Sequence, residues 1–345
     1  MRFKRKVMGA LALAATGALV LAGCTDRNDT GGGDGDTNGG GDASDVTVAF
    51  VPKLQGIPYF EAMNTGGQAA ADELGFNWLY QGPTTADAAA QADIVRSFIQ
   101  QGVDVLFVAP NDPDSMAPLL QEAQNAGISV ATTDTDAPDS VRELFVNQAG
   151  VEGVAHALTD QLMEAMGGEG KYAIVSCGET AANLNAWIEV QEEYTASDYP
   201  DAEIVDIVYA GEDQAQATAM ATDLMNAHPD LTGLVGECTS SAPGVAQAVE
   251  DAGRIGEVHT VGLGTPQSMQ PYLESGSSAA SVIWDVEALG YLTSWAGLQL
   301  ALGEEIPAEV QAGPAQEASY DADTNELLLG PPLIVTDENA GDYDY

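Results

Sequence analysis

The chain is short of positive charge. Its 345 residues carry 10 Lys and Arg against 53 Asp and Glu, and four of those ten (Arg2, Lys4, Arg5 and Lys6) fall in the first six positions. So acidic a chain cannot present the basic face that nucleic-acid phosphates require, and it repels anionic ligands in general. Cysteine and histidine are equally scarce, at three each. His156, His228 and His259 fall inside helical patterns or at a strand start, and no GxSxG, HExxH or CxxC pattern occurs. GGEGKY (167–172) hints at a phosphate loop, but it lacks the first Gly and the Ser/Thr, and it precedes a strand where such a loop follows one. Catalytic, metal and cofactor chemistry therefore have little to stand on; an enzyme is not expected, and neither a metal nor a cofactor. Beyond the N-terminus no stretch stays apolar for the roughly 18 residues that a membrane span needs.

The N-terminus itself is distinctive. MRFKRK is followed by VMGALALAATGALVLAGC, a basic region, a short apolar run and small residues, as in a secretory signal over 1–23. The residues TDRNDTGGGDGDTNGGGDASD then hold almost nothing apolar, so 24–45 reads as a flexible tether. Asp34, Asp36, Asn38, Gly39 and Asp45 imitate the spacing of an EF-hand loop, but glycines precede them and a strand follows, where an EF-hand needs two helices.

Residues 46–345 exceed what one core usually organises, which points to two lobes. Short β-rich runs alternate with helical patterns: VTVAFVP (46–52), FNWLY (76–80), VDVLFVAP (103–110), ISVATTD (128–134) and ELFVN (143–147), then KYAIVSC (171–177), EIVDIVYA (203–210), LTGLVGEC (231–238), VHTVGLG (258–264) and ASVIWD (280–285). The helical stretches between the first five close on Gly, as helix ends should. LLQEAQNAG (119–127) and VAQAVEDAG (245–253) repeat the same helix end before a strand. The fold class is α/β: two doubly wound parallel-sheet lobes, spanning 46–149 with 286–305, and 150–285 with 306–345, and joined near 147–151, 284–287 and 303–310. Cys177 and Cys238 would end neighbouring strands of a 2-1-3-4-5 sheet, within reach of a disulfide, although two buried thiols are the favoured expectation.

In such sheets ligands sit beyond the carboxyl ends of the strands. That rule selects Lys53, Tyr59, Phe60, Asp134 and Asp136 in the first lobe, and Asn183, Asn185, Glu237, Thr239, Trp284 and Asp285 in the second. Each has a plainer reading: a solvated lysine, packed rings, or Asp and Asn as turn and cap residues. Together they supply aromatic faces, acceptors, amides and one cation, which suits a polyhydroxylated ligand.

The segments VPKLQGIPYF, GPTTADAAAQ, NDPDSM, DTDAPDS, NLNAWIE, GLGTPQSM, IWDVEALGY and ENAGDYDY resemble the sugar-binding lipoproteins of bacterial ABC importers, with the type I periplasmic-binding fold. Within that family they are similar to the branch holding rhamnose-binding and autoinducer-2-binding proteins. Leu21-Ala22-Gly23-Cys24 resembles a lipobox, which implies cleavage before Cys24, lipidation of Cys24, and a chain anchored to the outer face of the cell membrane through lipid only. The resemblance implies a monomer that closes on a small neutral sugar and docks on a permease with its ATPase, or alternatively a receptor for autoinducer-2. A cationic amine drawn by the carboxylates, or an unsuspected enzyme, is a third reading. It places the ligand lysine on Lys53, stacking aromatics on Tyr59, Phe60 and Trp284, and a carboxylate on Asp134. Two places depart from the pattern. At Asn183-Leu184 autoinducer-2 binders usually have Asp-Gln and rhamnose binders resemble Asn-Gln, so Asn183 favours the sugar while Leu184 replaces the Gln of both. Glu237 with Thr239 stand where Pro and a small residue are usual. Lys53 is expected among Asp134, Glu237 and Asp285.

Overall fold

The computed structural model describes residues 42–345. The leader, Cys24 and all but the end of the tether lie outside that range. The last tether residues, Ala43–Asp45, form a single 3-10 turn capped by the Asp42 side chain.

The first lobe is built on five parallel strands: β1 (Thr47–Val51), β2 (Asn77–Tyr80), β3 (Val105–Val108), β4 (Ser129–Thr133) and β5 (Leu144–Asn147), in the order β2-β1-β3-β4-β5. Val48 to Val51 and Val105 to Val108 are fully buried, because helices cover both faces of the sheet. Those helices are α1 (Pro58–Leu74), α2 (Ala88–Gln101) and α3 (Pro113–Asn125). The N-termini of α2 and α3 are capped by Asp87 and Asp112, whose carboxylates accept from Ala90 N at 2.7 Å and Asp114 N at 3.1 Å.

The second lobe repeats the plan. Its strands are β6 (Gly170–Ser176), β7 (Ala202–Tyr209), β8 (Leu231–Gly236), β9 (His259–Gly262) and β10 (Ala280–Ile283), in the order β7-β6-β8-β9-β10. Its helices are α4 (Val151–Met166), α5 (Ala182–Asp198), α6 (Gln214–Ala227), α7 (Ser241–Asp251) and α8 (Pro266–Ser275). This is the type I periplasmic binding protein architecture, and each strand expected from the sequence is present.

Helix α9 (Val286–Leu302) returns to the first lobe and is apolar on every side, so it is buried almost throughout. It lies so close to α1 that only glycine fits at the crossing. A Cβ on Gly66 would overlap the Glu287 carbonyl, and one on Gly290 the Met63 carbonyl.

Two expectations need correction. The sequence pattern places the segment after 305 in the second lobe, with a crossing near 303–310. Instead β11 (Glu309–Ala312), β12 (Ala315–Asp321) and β13 (Glu326–Leu328) extend the first sheet, β13 pairing parallel with β5 through Leu327 opposite Val146. The edge of β5 otherwise exposes unpaired backbone groups, and β13 covers it. The chain crosses afterwards, at 329–332, and β14 (Leu333–Val335) joins β10 antiparallel. The second correction concerns Cys177 and Cys238, which form a disulfide and are not free thiols. Strands β6 and β8 are direct neighbours, Val175 opposite Gly236, so the residues just beyond them sit with Cα atoms 6.1 Å apart, within disulfide reach.

Candidate ligand-binding site

The first lobe contributes a lysine held from all sides. Lys53 leaves the end of β1 and is 5% exposed. Its backbone carbonyl accepts from Asn111 Nδ2 at 2.8 Å, and Pro52 O accepts from Gln91 Nε2 at 3.0 Å, which fixes the turn. Its Nζ lies 3.2 Å from Asp134 Oδ2 and donates to Asn183 Oδ1 at 3.1 Å. Asp134 follows β4 with a left-handed backbone, φ 63°. Asp is among the few non-glycine residues that tolerate this, and such outliers cluster at functional sites. The turn aims the carboxylate inward, where it also accepts from Tyr59 Oη at 2.8 Å and Thr135 Oγ1 at 3.0 Å. Burial, with the Asp134 charge second, pushes the Tyr59 hydroxyl well above its ordinary pKa, so Tyr59 stays a neutral donor.

Tyr59 Oη in turn accepts from Trp284 Nε1 at 3.2 Å. Tyr59 stands edge-on to Phe60 and to Trp284, with centroids 5.0 and 6.0 Å away, and Trp284 tilts against Trp187 at 5.9 Å. Asn183, at the start of α5, also donates to the Asp134 carbonyl at 3.4 Å. One amide of the second lobe thus touches the Lys53 ammonium and the Asp134 backbone of the first.

These groups line a small cavity of about 40 Å³, well below the roughly 300 Å³ at which small-molecule sites begin. The expected Lys53, Tyr59, Phe60, Asp134, Asn183, Glu237, Thr239 and Trp284 all border it, joined by Leu184. Three expected residues do not. Asp136 is clamped by Arg142, whose Nε and Nη2 donate to its two oxygens at 2.6 and 2.8 Å. Asn185 turns back to donate to the Glu179 carbonyl at 2.9 Å. Asp285 caps α9 by accepting from Ala288 N at 2.8 Å. Contrary to the expectation from the sequence, Lys53 pairs with Asp134 but with neither Glu237 nor Asp285.

Sequence reasoning missed Glu212, Trp187, Ile57 and Leu263, which also border the cavity. Glu212 follows β7, a strand end from which no candidate was drawn, so the rule that found the others reaches it too. Burial raises its pKa, Lys53 pulls it back and Asp134 raises it further. Its Oε2 accepts from Ser240 Oγ at 3.3 Å. Glu237 is fully buried. Desolvation pushes its carboxyl up to about 8, opposed only by the Gln191 amide, which donates to Oε1 at 2.7 Å. Among the described residues, the one cluster with metal-ligand spacing is Cys177, Glu212 and Cys238. Both sulfurs are spent in the disulfide, so this set does not suit a metal.

Residues 48–305 match the periplasmic binding protein domain. The chain belongs to that family. Among solved structures, a sugar ABC transporter protein from Actinomyces odontolyticus is 34% identical, with TM-score 0.71, over 88% of this chain and 99% of that one. An ABC transporter solute binding protein from Clostridium phytofermentas with bound L-rhamnose is 28% identical, with TM-score 0.81, over 87% and 98%. LsrB from Clostridium saccharobutylicum in complex with AI-2 is 27% identical, with TM-score 0.81, over 87% and 100%. The branch resemblance drawn from the sequence is thus met on both of its sides. These relatives are described by what they bind and transport, not by a reaction they catalyse.

Proposed function

We propose that this protein captures a small neutral sugar between its lobes and delivers it to a membrane permease, working as the extracytoplasmic binding component of an ABC importer. The observation that carries this reading is the contact of Asn183 with Lys53 and Asp134 across the aromatic-walled cavity. A ligand with several hydroxyls can replace or extend such contacts, donating to carboxylates and accepting from the ammonium. The rings of Tyr59, Phe60, Trp187 and Trp284 offer apolar faces for its C–H groups. The lobes would hinge about the three crossings, and the closed form would be the one the permease accepts. Anchoring through lipid on Cys24 belongs to the same proposal, as does a monomeric state. No helix among the described residues is long and apolar enough to cross a membrane.

A second reading is reception of autoinducer-2, supported by the equal structural similarity of the L-rhamnose-bound and AI-2-bound proteins. Asn183 favours the sugar, since the sequence resemblance associates autoinducer-2 binders with Asp there. A thermal-shift screen separates the two. The panel would hold L-rhamnose, D-ribose, other pentoses and deoxyhexoses, autoinducer-2 with borate excluded, and a polyamine. A ligand at 100 times its Kd adds roughly 2.7 kcal/mol. We expect a response confined to one or two neutral sugars. A response to autoinducer-2 or the polyamine alone would overturn the sugar reading.

A further inference from the structure

The second-lobe wall of the cavity contains a hydrogen-bonding position that the protein leaves unused. Glu237 is fully buried at the end of β8. Its Oε1 accepts from Gln191, but its Oε2 has no hydrogen-bond partner among the described residues. A buried carboxylate left in that state would cost several kcal/mol. The groups around it offer no compensating cation. Gln191 comes from α5. Tyr172 comes from β6, and its hydroxyl is already paired with Thr195 at 2.7 Å. The other ionisable groups bordering the cavity are Glu212, Asp134, Tyr59 and Lys53, and Lys53 is committed to Asp134 and Asn183. No charged group shifts the Glu237 carboxyl; burial alone dominates.

We propose that Glu237 is a specificity-determining residue that sits in the cavity as a neutral carboxylic acid and donates its Oε2 proton to an oxygen of a neutral sugar. This rests on the sugar-capture reading above. The cavity is rich in acceptors (Asp134, Glu212 and the Asn183 carbonyl oxygen) and has few donors: Tyr59 and Trp284 spend theirs on Asp134 and Tyr59, which leaves the third N–H of Lys53 on the first-lobe side and the Thr239 hydroxyl on the second. For a ring or hydroxyl oxygen facing the second lobe, the Glu237 proton is one of two side-chain donors, with the Thr239 hydroxyl. The raised pKa of about 8 keeps that proton in place at neutral pH, the device by which a buried acid serves as a donor. Leu184 and Leu263 border the same cavity and offer no hydrogen bond there. The class of ligand selected is a neutral polyol with an acceptor oxygen on this side. An ammonium group would instead select the ionised carboxylate. The competing destination for the proton is Gln191 Oε1, itself buried and without a partner. In that arrangement acid and amide would close on each other and offer nothing to a ligand.

The test uses the full-length protein with 13C-labelled glutamate side chains, titrated from pH 5 to 10 by NMR with and without each sugar of the panel. Glu237→Gln identifies the resonance by its disappearance. We expect a midpoint near 8 in the free protein and a higher one with bound sugar, because donation to the ligand stabilises the protonated form. Ligand that binds only the protonated site should weaken roughly 30-fold between pH 6.5 and 9.5, and this step should vanish in Glu237→Gln. A midpoint in the ordinary carboxylate range overturns the proposal. So does sugar binding that leaves the midpoint unmoved, which is the outcome of the closed acid–amide pair. Binding that tightens as pH rises overturns it in favour of a cationic ligand. A panel silent at every pH brings down the sugar-capture reading and this inference with it. A panel that responds without moving the midpoint brings down the inference alone.

Discussion

On the first-lobe wall of the cavity, Lys53, Tyr59 and Asp134 satisfy one another, with Asn183 reaching in from the other side. On the second-lobe wall, Glu237 keeps a bare oxygen, Glu212 makes one long contact to Ser240, Thr239 brings a hydroxyl, and Leu184, Leu263, two tryptophans and the disulfide supply apolar surface. The first wall is finished before any ligand arrives; the second is not. Pre-set donors and acceptors give affinity, because little order remains to be imposed on binding. Unmet groups give selectivity, since only a ligand that completes them avoids their desolvation cost.

Breaking the finished wall should have the largest effect. Lys53→Ala removes the one ammonium that borders the cavity and leaves Asp134, 4% exposed, without a counter-charge. Removing one partner of a buried ion pair costs about 3–5 kcal/mol. Ligand affinity and the denaturation midpoint should both fall. A variant that binds as tightly as the parent would mean the Lys53–Asp134 pair plays no part in capture.

The disulfide supports the unfinished wall from behind. It joins residues 61 apart in sequence, directly beside Glu237. Replacing both Cys177 and Cys238 by Ser should lower unfolding stability by roughly 2–5 kcal/mol. Thiol titration of the unfolded, unreduced protein should find no free sulfhydryl from Cys177 or Cys238. Two reactive thiols would return these residues to the arrangement the sequence favoured.

The same contrast explains what the sequence disclosed. Position along a strand is written in the apolar pattern, so ten strands, two repeated lobes and the cleft at their carboxyl ends were legible. The direction of a side chain is not. Asp136 stands two residues past Asp134, yet Arg142 captures it, because a bidentate guanidinium a few residues away outcompetes the cleft. Trp187, within the NLNAWIE segment, borders the cavity only because α5 turns that face inward. The strands after 305 escaped notice because they are half-exposed. Their alternating residues carry no apolar run, and their place is decided by the free edge of β5.

Glu237 also leaves a mark on stability. Its carboxyl titrates near 4.5 when unfolded and near 8 when folded. Between those values the native state holds a proton that the unfolded chain has lost, so stability falls as pH rises through that window. It is level below the lower value and level again above the upper one. The slope is roughly 1.4 kcal/mol per pH unit at most. Urea denaturation at pH 5, 6, 7 and 8 should show this slope in the parent and lose it in Glu237→Gln. Equal slopes in both proteins would mean that Glu237 is ionised in the folded state.

The smallest effect sharpens the comparison at its boundary. Trp284 borders the cavity and Asp285, the next residue, does not; the chain turns between them from strand end to helix start. Asp285 spends its carboxylate on Ala288 N, at the N-terminus of a helix buried in the first lobe. Asp285→Ala should therefore cost about 1 kcal/mol of stability through the lost cap, with ligand affinity unchanged. The neighbouring variant Trp284→Leu should weaken binding as well as the fold, because the indole is buried against Tyr59 and Trp187 and its N–H holds Tyr59 in place beside Asp134. Calorimetric titration of the two variants with a sugar from the panel reads both. If Asp285→Ala loses affinity as Trp284→Leu does, the cap and the cavity are one unit, and the hinge at 284–285 sets how tightly the cavity closes.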